Sequence, residues 1–171
     1  MPPLLVVVTG APGVGKTTLA RALAAELQLP LLAKDDVKET LFDTLGTGDR
    51  DWSRRLGRAT YEILFVVARR LLEAGSSCVL ESNFSHAEPL RALPTARVVQ
   101  LFCVAPVNIV LERYAARVRH PGHLDGAILE ELRGRLDAGE WAPLDLDGEL
   151  IEIDTSATVD VRALARQIVA D

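Results

Sequence analysis

Residues 10–17 read Gly-Ala-Pro-Gly-Val-Gly-Lys-Thr, a complete G-x-x-x-x-G-K-[ST] pattern, and no other segment restricts the fold as strongly. Its glycines permit positive φ and let backbone amides come close to an anion. The pattern needs a buried strand before it and a helix after it, and both are legible. Leu4–Thr9 is an almost wholly apolar, valine-rich run, as expected of a strand covered on both faces. Lys16–Leu29 carries apolar residues at 19, 20, 23, 24 and 27, the spacing of a helix, and Pro30 is expected to end it.

The alternation continues along the chain. A short strand at 31–33 runs into Lys34-Asp35-Asp36 and a helix to about Leu45, and Gly46–Asp49 reads as a loop. Apolar positions 56, 59, 63, 64, 67, 71 and 72 mark a long helix over 52–74, closed by Gly75. Further strands are expected at 78–80, 98–104 and 150–153. Helices are expected from 107 into an arginine-rich stretch, at about 126–136 and at 159–169. Apolar strands alternating with helices predict an α/β chain whose parallel sheet is covered on both faces. With 171 residues and no repeat, linker or low-complexity tract, residues 1–171 read as a single domain.

Charge narrows the partners. The formal net charge is −5, which argues against coating nucleic acid but leaves room for a small basic pocket. Of 19 basic residues only Lys16, Lys34 and Lys38 are lysines. Cys78 and Cys103 lie in apolar runs without metal-ligand spacing and read as free thiols. That reading, with no secretory pattern before Val8 and no apolar stretch of membrane-spanning length, leads us to expect a cytoplasmic protein with no membrane partner. The oligomeric state is not legible.

The loop predicts the chemistry. The backbone of Gly10, Ala11, Pro12, Gly13, Val14 and Gly15 would wrap phosphate oxygens, and the amides that open the helix, through Thr17 and Thr18, would point at the same anion. Lys16 would add a point charge at the β- and γ-phosphates, and Thr17 a hydroxyl for Mg²⁺. A GTPase would be expected to carry N-K-x-D and a remodelling ATPase a strand ending in Asp-Glu; the chain has neither. A phosphotransferase needs a base near the γ-phosphate. Asp35 and Asp36 follow a strand end, where α/β sheets bind ligands. One is expected to cap the helix and the other to act as base. Arg113 and Arg117, four apart, are expected to share a helix face, and with Arg119 to form a lid at about 113–126. His120-Pro121-Gly122-His123 reads as a loop or hinge.

Taken together, GAPGVGKTT, LLAKDDVKETL, VLESNFSHAEPLR, VVQLFCVAPVNIVLERYAARVRHPGHLD and IEIDTS resemble the P-loop kinases around the polynucleotide 5′-kinases, zeta-toxin-type kinases and chloramphenicol phosphotransferases. The resemblance covers roughly Leu4–Ser156. It implies a three-layer P-loop NTPase fold with a five-stranded sheet of order 2-3-1-4-5, and the cofactors ATP and Mg²⁺. It implies Asp35 as the base with Asp36 as the alternate, and Arg117 at the transferring phosphate with Arg113 beside it. Glu81 would sit in the metal shell with Thr17, Asn83 at the substrate, and Thr155 near the adenine. Lys38 stands where the polynucleotide kinases carry a substrate-phosphate arginine. The phosphate loop also differs from that of the chloramphenicol enzymes.

Residues 38–58 are expected to line the acceptor pocket, with Arg50, Trp52, Arg54, Arg55 and Arg58 as candidates and at least half of them expected on a solvated helix face. Lys38, Asp36, Arg54 and Asn83 are the expected substrate contacts. The sequence thus predicts an ATP-dependent phosphotransferase acting on a hydroxyl of a small molecule. The alternatives are a nucleoside or polynucleotide 5′-kinase and a nucleotide-binding module without transfer activity.

Overall fold

The valine run forms β1 (Leu4–Gly10), and from Leu5 onward every residue of it is buried. Val6 and Val8 enter one apolar core, while Leu5 and Val7 enter a second on the opposite face. Alternation of this kind places β1 in the middle of a sheet. In the computed structural model, which describes residues 2–118, 120–123 and 129–170, its companions are β2 (Leu31–Ala33), β3 (Cys78–Glu81), β4 (Arg97–Val104) and β5 (Glu149–Asp154). The sheet is parallel, in the order β2-β3-β1-β4-β5.

Helices close both faces. On one side lie α1 (Lys16–Leu27), α5 (Val107–Ala116) and α7 (Val161–Ala170), whose Leu23, Val110 and Ile168 share a core with Val6 and Val8. On the other lies α3 (Arg50–Glu73), whose Leu64, Ala68 and Leu72 pack on Leu5 and Val7. Each fully buried aliphatic side chain contributes about 1.5–3 kcal/mol. The remaining helices are α2 (Lys34–Leu45), α4 (Glu88–Arg91) and α6 (Leu129–Asp137). Among the described residues, no helix is long and apolar enough to cross a membrane.

Several boundaries differ from the sequence reading. Helix α1 stops at Leu27, not at Leu29, because Gln28 turns left-handed (φ 55°) and the Leu29 amide donates back to Ala24 O at 2.9 Å. Helix α3 starts earlier than Trp52: Asp49 accepts from the Trp52 amide at 2.8 Å and caps it. Its buried face is Ser53, Leu56, Thr60, Leu64, Ala68 and Leu72, leaving the expected Ile63 and Val67 exposed. Helix α4 has four residues, too short for a periodic signal. The expected start of α6 at Gly126 lies outside the described residues.

Register positions the site. Val8 of β1 aligns with Glu81 of β3, and Glu81 with Ala33 of β2. The loop after β1, Glu81 and the start of α2 therefore meet at one carboxyl edge of the sheet, where open α/β folds bind ligands.

Candidate active site

Gly10 opens the loop at φ +138°, and a Cβ there would sit 2.5 Å from Cys103 O of β4, so only glycine lets the loop leave the sheet this closely. Gly15 is the N-cap of α1 and has no side chain to occupy the first-turn amides. Lys16 lies buried beneath them, its Nζ donating to Ala11 O at 2.8 Å. Burial pushes the Lys16 ammonium below its ordinary pKa, with Glu81, Cys103 and Asp35 pulling it back. Glu81 is 4% exposed. Burial raises its carboxyl above the usual range, while Lys16 and the Thr17 hydroxyl draw it down. Both cysteines are buried free thiols, and burial pushes Cys103 up to about 12.

A crevice of ≈ 760 Å³ opens above the loop. Of the expected site residues, Pro12, Gly13, Gly15, Lys16, Thr17, Thr18, Asp35, Asp36, Lys38, Glu81, Asn83, Arg113 and Arg117 line it. Gly10, Ala11 and Val14 do not; Ala11 and Val14 are buried and support the loop from below. Thr155 is also outside the lining. Its hydroxyl donates to Val14 O and to Val104 O, the latter at 3.0 Å, which braces the loop against β4. Arg113 extends that brace, donating to Thr155 O at 2.9 Å and to Val14 O at 3.5 Å.

Two local expectations need correction. Neither aspartate caps α2: Ala33 is the N-cap, without a side-chain bond, and Asp35 and Asp36 both sit in the first turn. There they complement the helix dipole. Asp36 pairs with Arg21 at 2.7 Å, with both side chains more than half exposed. Arg113 and Arg117 do not share a helix face, because α5 ends at Ala116 and Arg117 is extended. The Arg117 guanidinium instead lies 3.9 Å over the Tyr114 ring. Arg119 lies outside the described residues.

A second cavity of ≈ 670 Å³ adjoins the crevice. Lys34, Lys38 and His123 line both. Arg50, Arg54 and Arg58, on successive turns of α3, line the second cavity alone. The structure thus puts Arg54 in this cavity, away from the loop. Trp52 and Arg55 stack on each other (5.4 Å) outside it. Lys38 donates to Ser53 Oγ at 3.0 Å, and Ser53 donates to Gly122 O at 3.2 Å. A short 3₁₀ turn, Pro121–His123, follows His120, and the two clasp α2. His120 stacks on Phe42 (5.3 Å), and His123 Nε2 lies 2.9 Å from Glu39 Oε1. Sequence reasoning missed Tyr61, Ser82, Tyr114 and His123 as lining residues. Tyr61 and Ser82 hydrogen-bond across 2.9 Å. Only their three-dimensional proximity marks them.

The comparisons agree with this geometry. Residues 5–138 match the AAA domain family. Over 126 residues the chain is 32% identical to an uncharacterised protein of Mycobacterium tuberculosis, covering 66% of this chain and 25% of that one. The chain therefore spans about a quarter of the length of the mycobacterial relatives it matches. It is 33% identical over 115 residues to an adenylyl-sulfate kinase of Chloroflexus aurantiacus, covering 64% of this chain and 60% of the enzyme. The crystal structure of a presumed kinase from C. aurantiacus superposes with a TM-score of 0.90 at 39% identity, covering 98% and 97% of the two chains. A sugar kinase from Janibacter shares the fold with a TM-score of 0.68 at 20% identity, covering 99% and 95%.

Proposed function

Because the chain belongs to the AAA domain family and carries the P-loop kinase fold, we propose that it is an ATP-dependent phosphotransferase acting on a hydroxyl of a small-molecule acceptor. One observation carries the reading. The phosphate crevice and a second cavity share a wall of Lys34, Lys38 and His123, which leaves room for a donor and an acceptor side by side. A module that only binds nucleotide has no need of the second space.

In this reading ATP supplies the phosphoryl group and Mg²⁺ neutralises charge on it. The Thr17 hydroxyl and Glu81 offer hard oxygen donors that suit Mg²⁺. Among the described residues no three His, Cys, Asp or Glu side chains converge on a metal, so the ion would draw its other ligands from phosphate and water. Lys16 and the loop amides hold the phosphates. Asp35 accepts the proton of the acceptor hydroxyl as its oxygen attacks the γ-phosphorus and the bond to ADP breaks. Arg117 meets the negative charge of the moving group. Arg113 and Thr155 keep the loop in place. Lys38 and Asn83 position the acceptor.

We place the protein in the cytoplasm, where ATP is supplied and thiols stay reduced, and treat residues 1–171 as one unit with a lid at about 113–126. The narrower kinship with the polynucleotide kinase, zeta-toxin and chloramphenicol phosphotransferase group belongs to the same proposal. Incubation with labelled ATP and Mg²⁺ against sugars, nucleosides, oligonucleotide 5′ ends and antibiotics tests it. Transfer to a small alcohol is expected. Transfer to an oligonucleotide selects a polynucleotide 5′-kinase. ATP binding without transfer to any acceptor reduces the chain to a regulatory nucleotide-binding module.

A further inference from the structure

The second cavity does not share the charge of the molecule around it. The chain carries a formal net charge of −5, yet among the described residues Lys34, Lys38, Arg50, Arg54 and Arg58 line this cavity against one carboxylate, Glu131. Arg50, Arg54 and Arg58 lie four residues apart on α3, so their side chains rise from one face. Like charges at that spacing repel and cost helix stability, so stability alone does not account for the row.

Among the described residues, carboxylates neutralise little of the charge on the three arginines. Arg50 reaches Glu131 only at 3.7 Å, and Arg54 reaches Asp51 at 3.5 Å, with all four side chains largely exposed. Such pairs are weak in water. Among the described residues neither Arg58 nor Lys34 has a carboxylate partner. Lys34 lies 5.0 Å over the Tyr61 ring, a contact that leaves its N–H donors available. Gly57, between Arg54 and Arg58, lines the same cavity.

From this arrangement we infer that the acceptor is a small anion bearing a phosphate or carboxylate group, which Arg54 and Arg58 bind at the end of the cavity away from the phosphate loop. The inference rests on the phosphotransferase reading and gives its acceptor a chemical class. The fork of an arginine matches either anion in a bidentate geometry. A volume of ≈ 670 Å³ suits a metabolite-sized molecule. The hydroxyl to be phosphorylated then points toward the wall shared with the crevice, and Asp35 lines the crevice beyond that wall.

The test uses the whole chain loaded with ADP and Mg²⁺, titrated calorimetrically with inorganic phosphate, malonate and the neutral polyol ribitol. The double variant Arg54→Gln, Arg58→Gln, whose two positions are solvent-exposed, is titrated in parallel. Phosphate or malonate is expected to bind the native protein at least about tenfold more tightly than the variant, the worth of one charge-assisted hydrogen bond. Preference for phosphate indicates a phosphorylated acceptor, and preference for malonate a carboxylic acid. Ribitol binding as tightly as the anions overturns the inference. So does anion binding that is unchanged in the variant, which places the anion at the nucleotide, and so does ADP binding with no anion bound. If ADP itself does not bind, the phosphotransferase reading falls, and the inference with it.

Discussion

The two cavities that meet at Lys34 and Lys38 are built in different ways. The crevice above the glycine-rich loop rests on a backbone floor of loop amides, the open end of α1 and strand ends aligned by sheet register. The second cavity is made of side chains, most of them from one face of α3. A backbone site tolerates little change, because it depends on chain geometry. A side-chain site changes its ligand with a few substitutions and leaves the fold alone. In the proposed reading, then, the architecture dictates the donor and a row of residues on a helix dictates the acceptor.

The largest expected effect tests the junction between the halves. Asp35→Asn should lower phosphoryl transfer by about 10²–10⁴-fold, with ADP affinity changed less than about threefold; initial rates and calorimetry measure the two. Unaltered transfer would move the base elsewhere. Next is the rigidity of the backbone site. Gly10→Ala forces a Cβ against Cys103 O and should cost about 3 kcal/mol in a urea melt. A loss below about 1 kcal/mol would show that the loop yields more readily than its packing implies.

Lys38→Met addresses the side-chain half. It removes the donor to Ser53 and should raise the acceptor KM about tenfold while moving the ATP KM less than about threefold. Equal changes in both would mean that the two cavities act as one. The smallest effect concerns the exposed Arg21–Asp36 pair. Asp36→Asn should change stability by no more than about 0.5 kcal/mol in the same melt and preserve transfer. Loss of transfer there would exchange the roles of the two aspartates.

The same contrast explains what the sequence disclosed. The strand–loop–helix around Gly10–Thr17 is read correctly because its requirements are local: glycines for the turn, a strand before, a helix after. The sheet order followed from resemblance, and the parallel alternation from apolar runs. The second cavity was legible only as a list of arginines. Deciding which of them face inward requires the buried stripe of α3, and Ser53 and Thr60 hide it. Both are polar yet buried, satisfied by Gly122 O and Leu56 O. Scored by hydropathy, the helix shows a stripe through 59, 63 and 67 that solvent in fact reaches. The helical pairing of Arg113 with Arg117 failed for a related reason. The spacing holds only while the helix lasts, and α5 ends one residue before Arg117.

The alignment of Val8, Glu81 and Ala33 across three strands also limits how such a chain can change in length. Gly75–Ser77 precedes β3 in an exposed turn and can absorb an added or lost residue. Inside Cys78–Glu81 it cannot. Side chains alternate between faces, so one deleted residue would turn Leu80 toward Val6 and Val8 and the Glu81 carboxylate toward Leu5 and Val7. Homologous chains should therefore differ in length around this strand and hardly ever within it.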